Sequence, residues 1–237
     1  MNTKLLCIET STEVCSVVLA DDGKVIDNLE DTSGMNHSKK LTQFIDDILK
    51  RNQMKAFDID AIAVSEGPGS YTGLRIGVSA AKGICYATNK PLIAINPLHA
   101  MTNFVLTNSN QLGISLKKVV GLVPMIDARR MEVYRAVFDN TEKLIESTDA
   151  VVVDQYTFAD KLNEGQLLFF GNGSAKCKSV IQHSNAVFID GITTSARHMV
   201  NVAVQKYNKG EFVDVAYFEP FYLKDFIATI PKKNILG

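Results

Sequence analysis

The chain has 237 residues, of which 46% are hydrophobic and 22% charged, and these proportions exclude an intrinsically disordered protein. The formal net charge of −1 excludes a strongly basic chain that binds nucleic acid tightly by itself. No run of about 18 apolar residues predicts a membrane span, and no basic segment before an apolar one predicts a signal peptide. The cysteines are scattered without a Cys-x-x-Cys pair, so we expect free thiols, no zinc ribbon and a cytoplasmic location.

The first half of the chain predicts three strands in a meander, followed by helices that alternate with strands. Short turn sequences such as Asp21-Asp22-Gly23 separate the first apolar runs. A helix then follows, because Leu41, Ile45 and their apolar neighbours recur at helical spacing. The predicted order is βββαβαβα, with strands at 4–10, 14–20, 24–30, 61–64 and 91–96 and helices around 41–49, at 74–87 and at 98–106.

The second half predicts the same order again after a polar stretch at 108–116, which we interpret as a boundary between lobes 1–107 and 108–237. The repeated order looks like a duplicated ribonuclease-H-like unit, an α/β fold of the actin, Hsp70 and sugar-kinase type. The apolar segment 217–223 is expected to pack on the body or on a partner. Strands are predicted at 118–126, 131–138, 143–153, 167–170 and 186–189, and helices at 155–162, 175–181 and 196–207.

A glycine loop (residues 65–73) joins a buried strand to a helix. Gly67 and Gly69 fit a sharp turn, and Ser70 or Thr72 fits the N-cap of the helix. Such a turn also collects anions, but no lysine completes a Walker motif. The third glycine of a dinucleotide fingerprint is displaced by one residue, to Gly73. A phosphate site and a plain structural turn are both open interpretations.

Small residues recur along one side of the helix that follows. Gly73, Gly77 and Ala81 allow another element to approach closely. Glycine in a helix costs roughly 1 kcal/mol relative to alanine, so close packing is expected to compensate. The neighbour is either the sheet of the same chain or a helix of another subunit. In the second case Gly77→Leu or Ala81→Arg is expected to abolish partner binding in a folded monomer.

Several segments together resemble one family, the TsaB (YeaZ) type. They are residues 6–12, 36–38, 67–77, 126–134 and 220–224, and the glycine loop is the most specific of them. In this family the protein is the dimerisation subunit of the bacterial complex that makes threonylcarbamoyladenosine in tRNA. The resemblance covers residues 6 to about 224 and implies the same duplicated fold.

The resemblance implies a non-catalytic scaffold. Its partners would be a TsaD-type threonylcarbamoyltransferase and a TsaE-type ATPase, and in their absence the chain could form a homodimer. It would contact tRNA only through the complex and would not bind a membrane. Partner binding is assigned to the first two helices of the chain. The candidate contact residues are Tyr71, Gly73, Leu74, Arg75, Gly77, Val78, Ala81, Leu41 and Ile45.

The resemblance also implies that catalytic groups are missing. The catalytic relative holds a metal with a His-x-x-x-His pair, because two imidazoles four residues apart on a helix face one ion. In this chain Ile95 and Asn103 stand four residues either side of His99, so we predict no metal and no catalytic residue. Kinases of this fold begin with an Asp where this chain has Glu9.

A weak nucleotide site is the remaining possibility. Hydroxyls at Thr10 and Ser11 suit either a phosphate or a hairpin turn. Asp127 suits either a magnesium-bound water or an ion pair with a neighbouring arginine. Gly171 and Gly173 form a glycine turn that would let a ligand approach. No tightly bound cofactor is expected, and ATP with Mg²⁺ is expected only at a subunit interface.

Two other functions are weighed against the scaffold. One is an enzyme of the same superfamily, either an ATP-dependent phosphotransferase or a metallopeptidase-like protein. The other is a homodimeric regulatory protein that would use the same helices. Bound zinc or iron, or ATP turnover by the pure chain, would favour an enzyme over the scaffold.

Overall fold

The computed structural model describes residues 3–34 and 36–224, which form two five-stranded sheets with helices. The polar stretch at 108–116 separates the two sheets along the chain. The first half contains β1 (Lys4–Glu9), β2 (Cys15–Asp21), β3 (Lys24–Asp31), α1 (His37–Arg51), β4 (Ala61–Ser65), α2 (Tyr71–Thr88), β5 (Leu92–Ile95) and α3 (Pro97–Thr107). The second half contains β6 (Val119–Asp127), β7 (Glu132–Phe138), β8 (Leu144–Val152), α4 (Ala159–Glu164), β9 (Gln166–Phe170), β10 (Ala186–Phe188) and α5 (Ala196–Lys209).

The two sheets have the same topology. The strand order is β3-β2-β1-β4-β5 in the first sheet and β8-β7-β6-β9-β10 in the second. In each sheet the first strand pairs antiparallel with the second and parallel with the fourth. The duplicated α/β fold predicted from the repeated element order is therefore confirmed.

The first sheet is buried on both faces. Leu6 and Ile8 on β1 pack toward α1 and α2, whereas Leu5 and Cys7, which alternate with them, pack toward α5. Side chains alternate between the faces of a strand, so an unbroken apolar run indicates a strand that is covered on both sides. This pattern explains why β1 and β4 could be placed from sequence.

The last helix of each half packs on the sheet of the other half. Helix α3 contributes Leu98 and Met101 to the core of the second sheet, and α5 contributes Met199 and Val200 to the core of the first. The two helices also contact each other. The predicted division at residue 107 therefore lies between the two sheets. It does not separate each sheet from all the helices that pack on it, because α3 and α5 cross to the sheet of the other half.

The structure differs from the prediction in two short segments. The helix predicted at 175–181 is a 3-10 turn over Ala175–Ser179. Helix α4 begins at Ala159 rather than at 155, because the Asp154 carboxylate accepts hydrogen bonds from the N–H groups of Tyr156 and Thr157 and forms a turn there. Within the described ranges, no helix is long and apolar enough to span a membrane.

The C-terminal strap (residues 211–224) wraps around the first lobe, as expected for its apolar segment. The Val213 N–H donates to the Leu92 carbonyl at 2.9 Å, which fixes the strap to the edge strand β5. Lys82 of α2 donates to the carbonyls of Ala216 and Phe218. The strap thus runs from the sheet edge across α2 toward the glycine loop.

Candidate functional site

A cleft of about 950 Å³ lies between the two lobes. Its walls come from the loops that follow β1, β4, β6 and β9, together with the end of the strap. The carboxyl ends of the parallel strands of both sheets therefore meet here, where ligands usually bind in open α/β sheets. Its lining includes Ser11, Thr12, Glu13, Ser70, Asp127, Arg129, Asn172 and Tyr222.

The glycine loop packs against the turn between β1 and β2 of the same chain. The Ser70 N–H donates to the Ser11 carbonyl at 2.6 Å, and the Ser70 hydroxyl accepts from the Gly73 N–H as the N-cap of α2. A Cβ at Gly69 would overlap the Ser11 carbonyl oxygen, and one at Gly73 would overlap that of Thr10. The glycines are therefore required for close backbone packing, as in the structural-turn interpretation.

The predicted nucleotide contacts at the end of β1 are buried. The Glu9 carboxylate accepts a hydrogen bond from the Ser11 N–H at 2.6 Å, and burial raises the pKa of this carboxyl group. Ser11 lies on the cleft floor. Thr10 does not, because its hydroxyl points at Gly77 of α2. Its predicted contact with a nucleotide is therefore wrong.

Gly171 and Gly173 serve backbone packing rather than ligand contact. A Cβ at Gly171 would overlap the Met125 carbonyl oxygen, and one at Gly173 would lie 2.8 Å from the carbonyl carbon of Ile126. Neither glycine lines the cleft, which corrects their assignment to a nucleotide site. The two glycines allow the turn after β9 to approach β6.

Asn172, which sequence reasoning missed, projects from this turn across the cleft. Its amide donates to the Glu13 carboxylate at 3.0 Å, and its Oδ1 accepts from the Asp127 N–H at 3.1 Å. One side chain thus joins the first turn of one lobe to the end of the first strand of the other. The Gly-x-Gly pattern was the available signal, since glycines that bring two backbones together also position the residue between them.

Asp127 is engaged in an ion pair. Its Oδ1 lies 2.6 Å from Lys176 Nζ and also accepts from the Arg129 N–H. The ion-pair alternative is thus correct, but the partner is a lysine from the turn after β9 and not a neighbouring arginine. Within the described residues, no group of three His, Cys, Asp or Glu side chains is arranged to hold a metal ion.

His99 belongs to a hydrogen-bonded cluster on α3. Its Nε2 lies 2.6 Å from Glu142 Oε1, and the Asn103 amide donates to both oxygens of the same carboxylate. Asn103, like Ile95, stands four residues from His99, where a His-x-x-x-His pair would need its second histidine. An amide that donates to a carboxylate supplies no metal ligand comparable to imidazole.

Most of the predicted partner-binding residues lie inside the first lobe. Those buried are Leu41, Ile45, Gly73, Leu74, Gly77, Val78 and Ala81. A Cβ at Gly77 would overlap the Thr10 hydroxyl, so the small side of α2 packs on its own sheet. These residues are therefore not available for direct contact with a partner, which corrects their prediction as contact residues. The structure favours the alternative in which the small side of α2 packs within the chain, so Gly77→Leu or Ala81→Arg is expected to disrupt the monomer itself.

Tyr71 and Arg75 lie closer to the surface and contact the strap. The rings of Tyr71 and Tyr222 are 4.8 Å apart, and the Arg75 guanidinium lies 4.4 Å from the centre of the Tyr71 ring. Arg75 Nε also donates to the Tyr222 hydroxyl at 3.4 Å. This cation–π and aromatic cluster anchors the strap at the cleft mouth.

The residues that α1 and α2 leave exposed form what we call the outer α1–α2 face. On α2, Gly83 has no atom within 4 Å of the position a Cβ would take, and Tyr86 is 87% exposed. Thr72 and Ser79 are exposed on the same helix. On α1 the exposed residues are Ser38, Lys39, Thr42, Gln43, Asp46, Lys50 and Arg51.

Comparison with known proteins identifies the family. Residues 30–232 match the family model described as TsaD, tRNA N6-adenosine threonylcarbamoyltransferase. The tRNA threonylcarbamoyladenosine biosynthesis protein TsaB of Escherichia coli is 30% identical over 95% of this chain and 96% of its own length. The chain belongs to the TsaB (YeaZ) family. The Bacillus subtilis TsaB is 30% identical over 75% of each chain.

Solved structures agree with the TsaB fold. YeaZ from Pseudomonas aeruginosa superposes with a TM-score of 0.77 at 23% identity, covering 93% of this chain and all of that one. A threonylcarbamoyltransferase of Kosmotoga olearia, in contrast, is 29% identical over 43% of this chain and 36% of the enzyme. Similarity to these two TsaB relatives thus extends further along the chain than similarity to this transferase.

Proposed function

We propose that this chain is the non-catalytic subunit that binds and supports a TsaD-type threonylcarbamoyltransferase in the cytoplasm. The product would be threonylcarbamoyladenosine next to the tRNA anticodon. Membership of the TsaB family supports the pathway, because the curated relatives are named as threonylcarbamoyladenosine biosynthesis proteins. A TsaE-type ATPase is proposed as a further member of the complex.

One observation carries the non-catalytic part of the proposal. Groups that the sequence analysis considered as candidate metal or nucleotide ligands, namely His99, Asn103 and Asp127, are bonded to other side chains of the chain. Glu142 binds His99 and Asn103, Asn172 holds Glu13, and Lys176 pairs with Asp127. Groups that are engaged with one another in this way favour a role in binding over a role in chemistry.

The outer α1–α2 face is the proposed contact surface. Its small residue Gly83 permits close approach of a partner helix, and the exposed Tyr86 is an anchor of the type found at interfaces. The same face would also join two copies of this chain when the transferase is absent. ATP with Mg²⁺ is proposed only where the partner completes the cleft.

Gly83→Arg tests the interface. The Cβ position at Gly83 is open, so the variant is expected to fold while its long charged side chain blocks helix packing. Asn201→Arg is the control, because this exposed residue lies on α5, on the opposite face of the first sheet. The two variants carry the same charge change on comparable helical surfaces.

We expect Gly83→Arg to abolish co-purification with the transferase and to lower threonylcarbamoyladenosine in bulk tRNA, measured by mass spectrometry. Asn201→Arg is expected to leave both readouts unchanged. Normal recovery of the transferase with Gly83→Arg would show that the interface lies elsewhere. ATP turnover by the pure chain would contradict the non-catalytic role.

A further inference from the structure

The tip of the β6–β7 hairpin carries two arginines in a backbone conformation that is unfavourable for them. Arg129 has φ +74° and Arg130 has φ +49°. The Glu132 N–H donates to the Arg129 carbonyl, which places Arg130 at the second position of a tight turn. Glycine is preferred at a turn position with positive φ. The backbone conformation at both residues is therefore unfavourable for arginine.

Neither guanidinium group has an acidic partner in the described part of the chain, and Arg129 interacts electrostatically only with Tyr134 there. Both residues are exposed, and neither forms an ion pair or a side-chain hydrogen bond there. Arg129 lies at the rim of the interlobe cleft. A strained backbone that carries an unpaired charge indicates a residue whose side chain contacts another molecule.

Both acidic groups at the base of the hairpin have a lysine partner. Asp127 pairs with Lys176 at 2.6 Å, and Glu132 pairs with Lys224 of the strap. Across the cleft, the Glu13 carboxylate accepts the Asn172 amide. The pairing of both acidic groups at the hairpin base leaves Arg129 and Arg130 as a local positive excess on a chain whose net charge is −1.

We infer that this arginine tip binds the phosphate backbone of the tRNA while the transferase holds the same tRNA. This inference rests on the proposed function. Guanidinium groups match phosphate oxygens in geometry and charge, so two exposed guanidinium groups suit a polyanion better than an apolar protein surface. Two charges give weak binding alone, which is consistent with a contact that operates only within the complex.

The test uses the complex of this chain with the threonylcarbamoyltransferase of the same organism and an in vitro transcribed substrate tRNA. The variant Arg129→Asn with Arg130→Gly removes both charges and introduces residues that tolerate positive φ, so the hairpin is expected to fold at least as stably. The control is Lys117→Gln with Lys118→Gln, two exposed lysines before the other end of β6.

We expect the arginine variant to bind tRNA about tenfold more weakly near 0.1 M salt, with the slope of log K against log salt reduced by about 2. The lysine control is expected to change neither value. Unchanged tRNA affinity in an intact variant complex would overturn the inference. Loss of the transferase from the variant would overturn it as well, since the tip would then be a protein contact. If the unaltered chain fails to bind the transferase, the proposed function fails instead.

Discussion

Two of the three glycines in α2, Gly77 and Gly83, have opposite environments, although the sequence presents them alike. Gly77 is buried, and a Cβ there would overlap the Thr10 hydroxyl. Gly83 is exposed and has no neighbour within 4 Å of that position. Packing within the chain therefore explains the glycine at position 77. The glycine at position 83 instead leaves room for a partner.

Alanine substitution is expected to separate these roles. Gly77→Ala should lower the free energy of unfolding by about 1–3 kcal/mol through overpacking. Gly83→Ala should raise it by about 0.5–1 kcal/mol, because alanine is the better helix former. Both values follow from urea unfolding monitored by circular dichroism.

The cause of the Gly77 effect is checked in a Thr10→Ala background. That change removes the overlapping hydroxyl, which is buried and makes no hydrogen bond in the described chain. Gly77→Ala should then cost clearly less than in the unaltered protein. An equal loss of stability in both backgrounds would assign the effect to something other than the Thr10 contact.

At the scale of elements, the sequence predicted those strands and helices whose apolar pattern is continuous. The runs in β1, β4 and β9 are buried on both sides, and the stripe on α1 recurs at helical spacing. Residues 175–179 form only a 3-10 turn, where local hydrogen bonds rather than apolar spacing decide the structure.

The candidate site was less predictable than the fold. The sequence could indicate that Gly73, Gly77 and Ala81 permit close approach, but it could not say what approaches them. That answer depends on the register between α2 and the β1–β2 turn, a contact between distant parts of the chain. Asn172 was missed for the same reason, because its partner Glu13 lies more than 150 residues away in sequence.

The contact between α3 and α5 gives an element-scale prediction on pH. His198 of α5 stacks on Phe104 of α3 with ring centres 3.9 Å apart, and burial together with the nearby Arg197 lowers its pKa from 6.5 to about 4. Between these values the unfolded chain binds the proton and the folded chain does not. Stability is therefore complete above pH 6.5 and decreases as pH falls toward 4.

The variant His198→Phe keeps an aromatic ring at this position and removes the titration. Relative to the variant, the unaltered protein should lose up to about 3 kcal/mol of unfolding free energy between pH 7 and pH 4. Carboxyl groups titrate in both proteins, so their effects cancel in the difference. A difference that stays constant with pH would contradict the assigned pKa of His198.

At the scale of the whole molecule, α3 and α5 join the lobes because each packs on the sheet of the other half, and polar contacts between the lobes add to this connection. Asn172 links the lobes across the cleft mouth, and Thr12 forms a 2.6 Å hydrogen bond with Thr194 just before α5. The Ser195 hydroxyl donates to Glu30 of β3. The lobes are therefore joined both by Asn172 at the cleft and by the contacts of Thr194 and Ser195 at the start of α5.

Asn172→Ala tests the contact across the cleft. Loss of its hydrogen bonds should lower the unfolding free energy by about 1 kcal/mol and speed amide hydrogen exchange in residues 11–13 of the opposite lobe. Asn185→Ala is the matched control, since the Asn185 amide donates to the Leu162 carbonyl within the second lobe. Faster exchange at 11–13 in the control as well would mean that Asn172 has no special role.

The placement of α5 on the first sheet also determines when this protein can finish folding during its synthesis. Strand β1 leaves the ribosome first, yet the helix that covers one of its faces is encoded at 196–209. At roughly 5–20 residues per second, that face waits about 10–40 seconds for its cover. Once β5 has been made, this face of the first sheet stays uncovered until α5 follows, and a chaperone that shields such a surface would act on it during this interval.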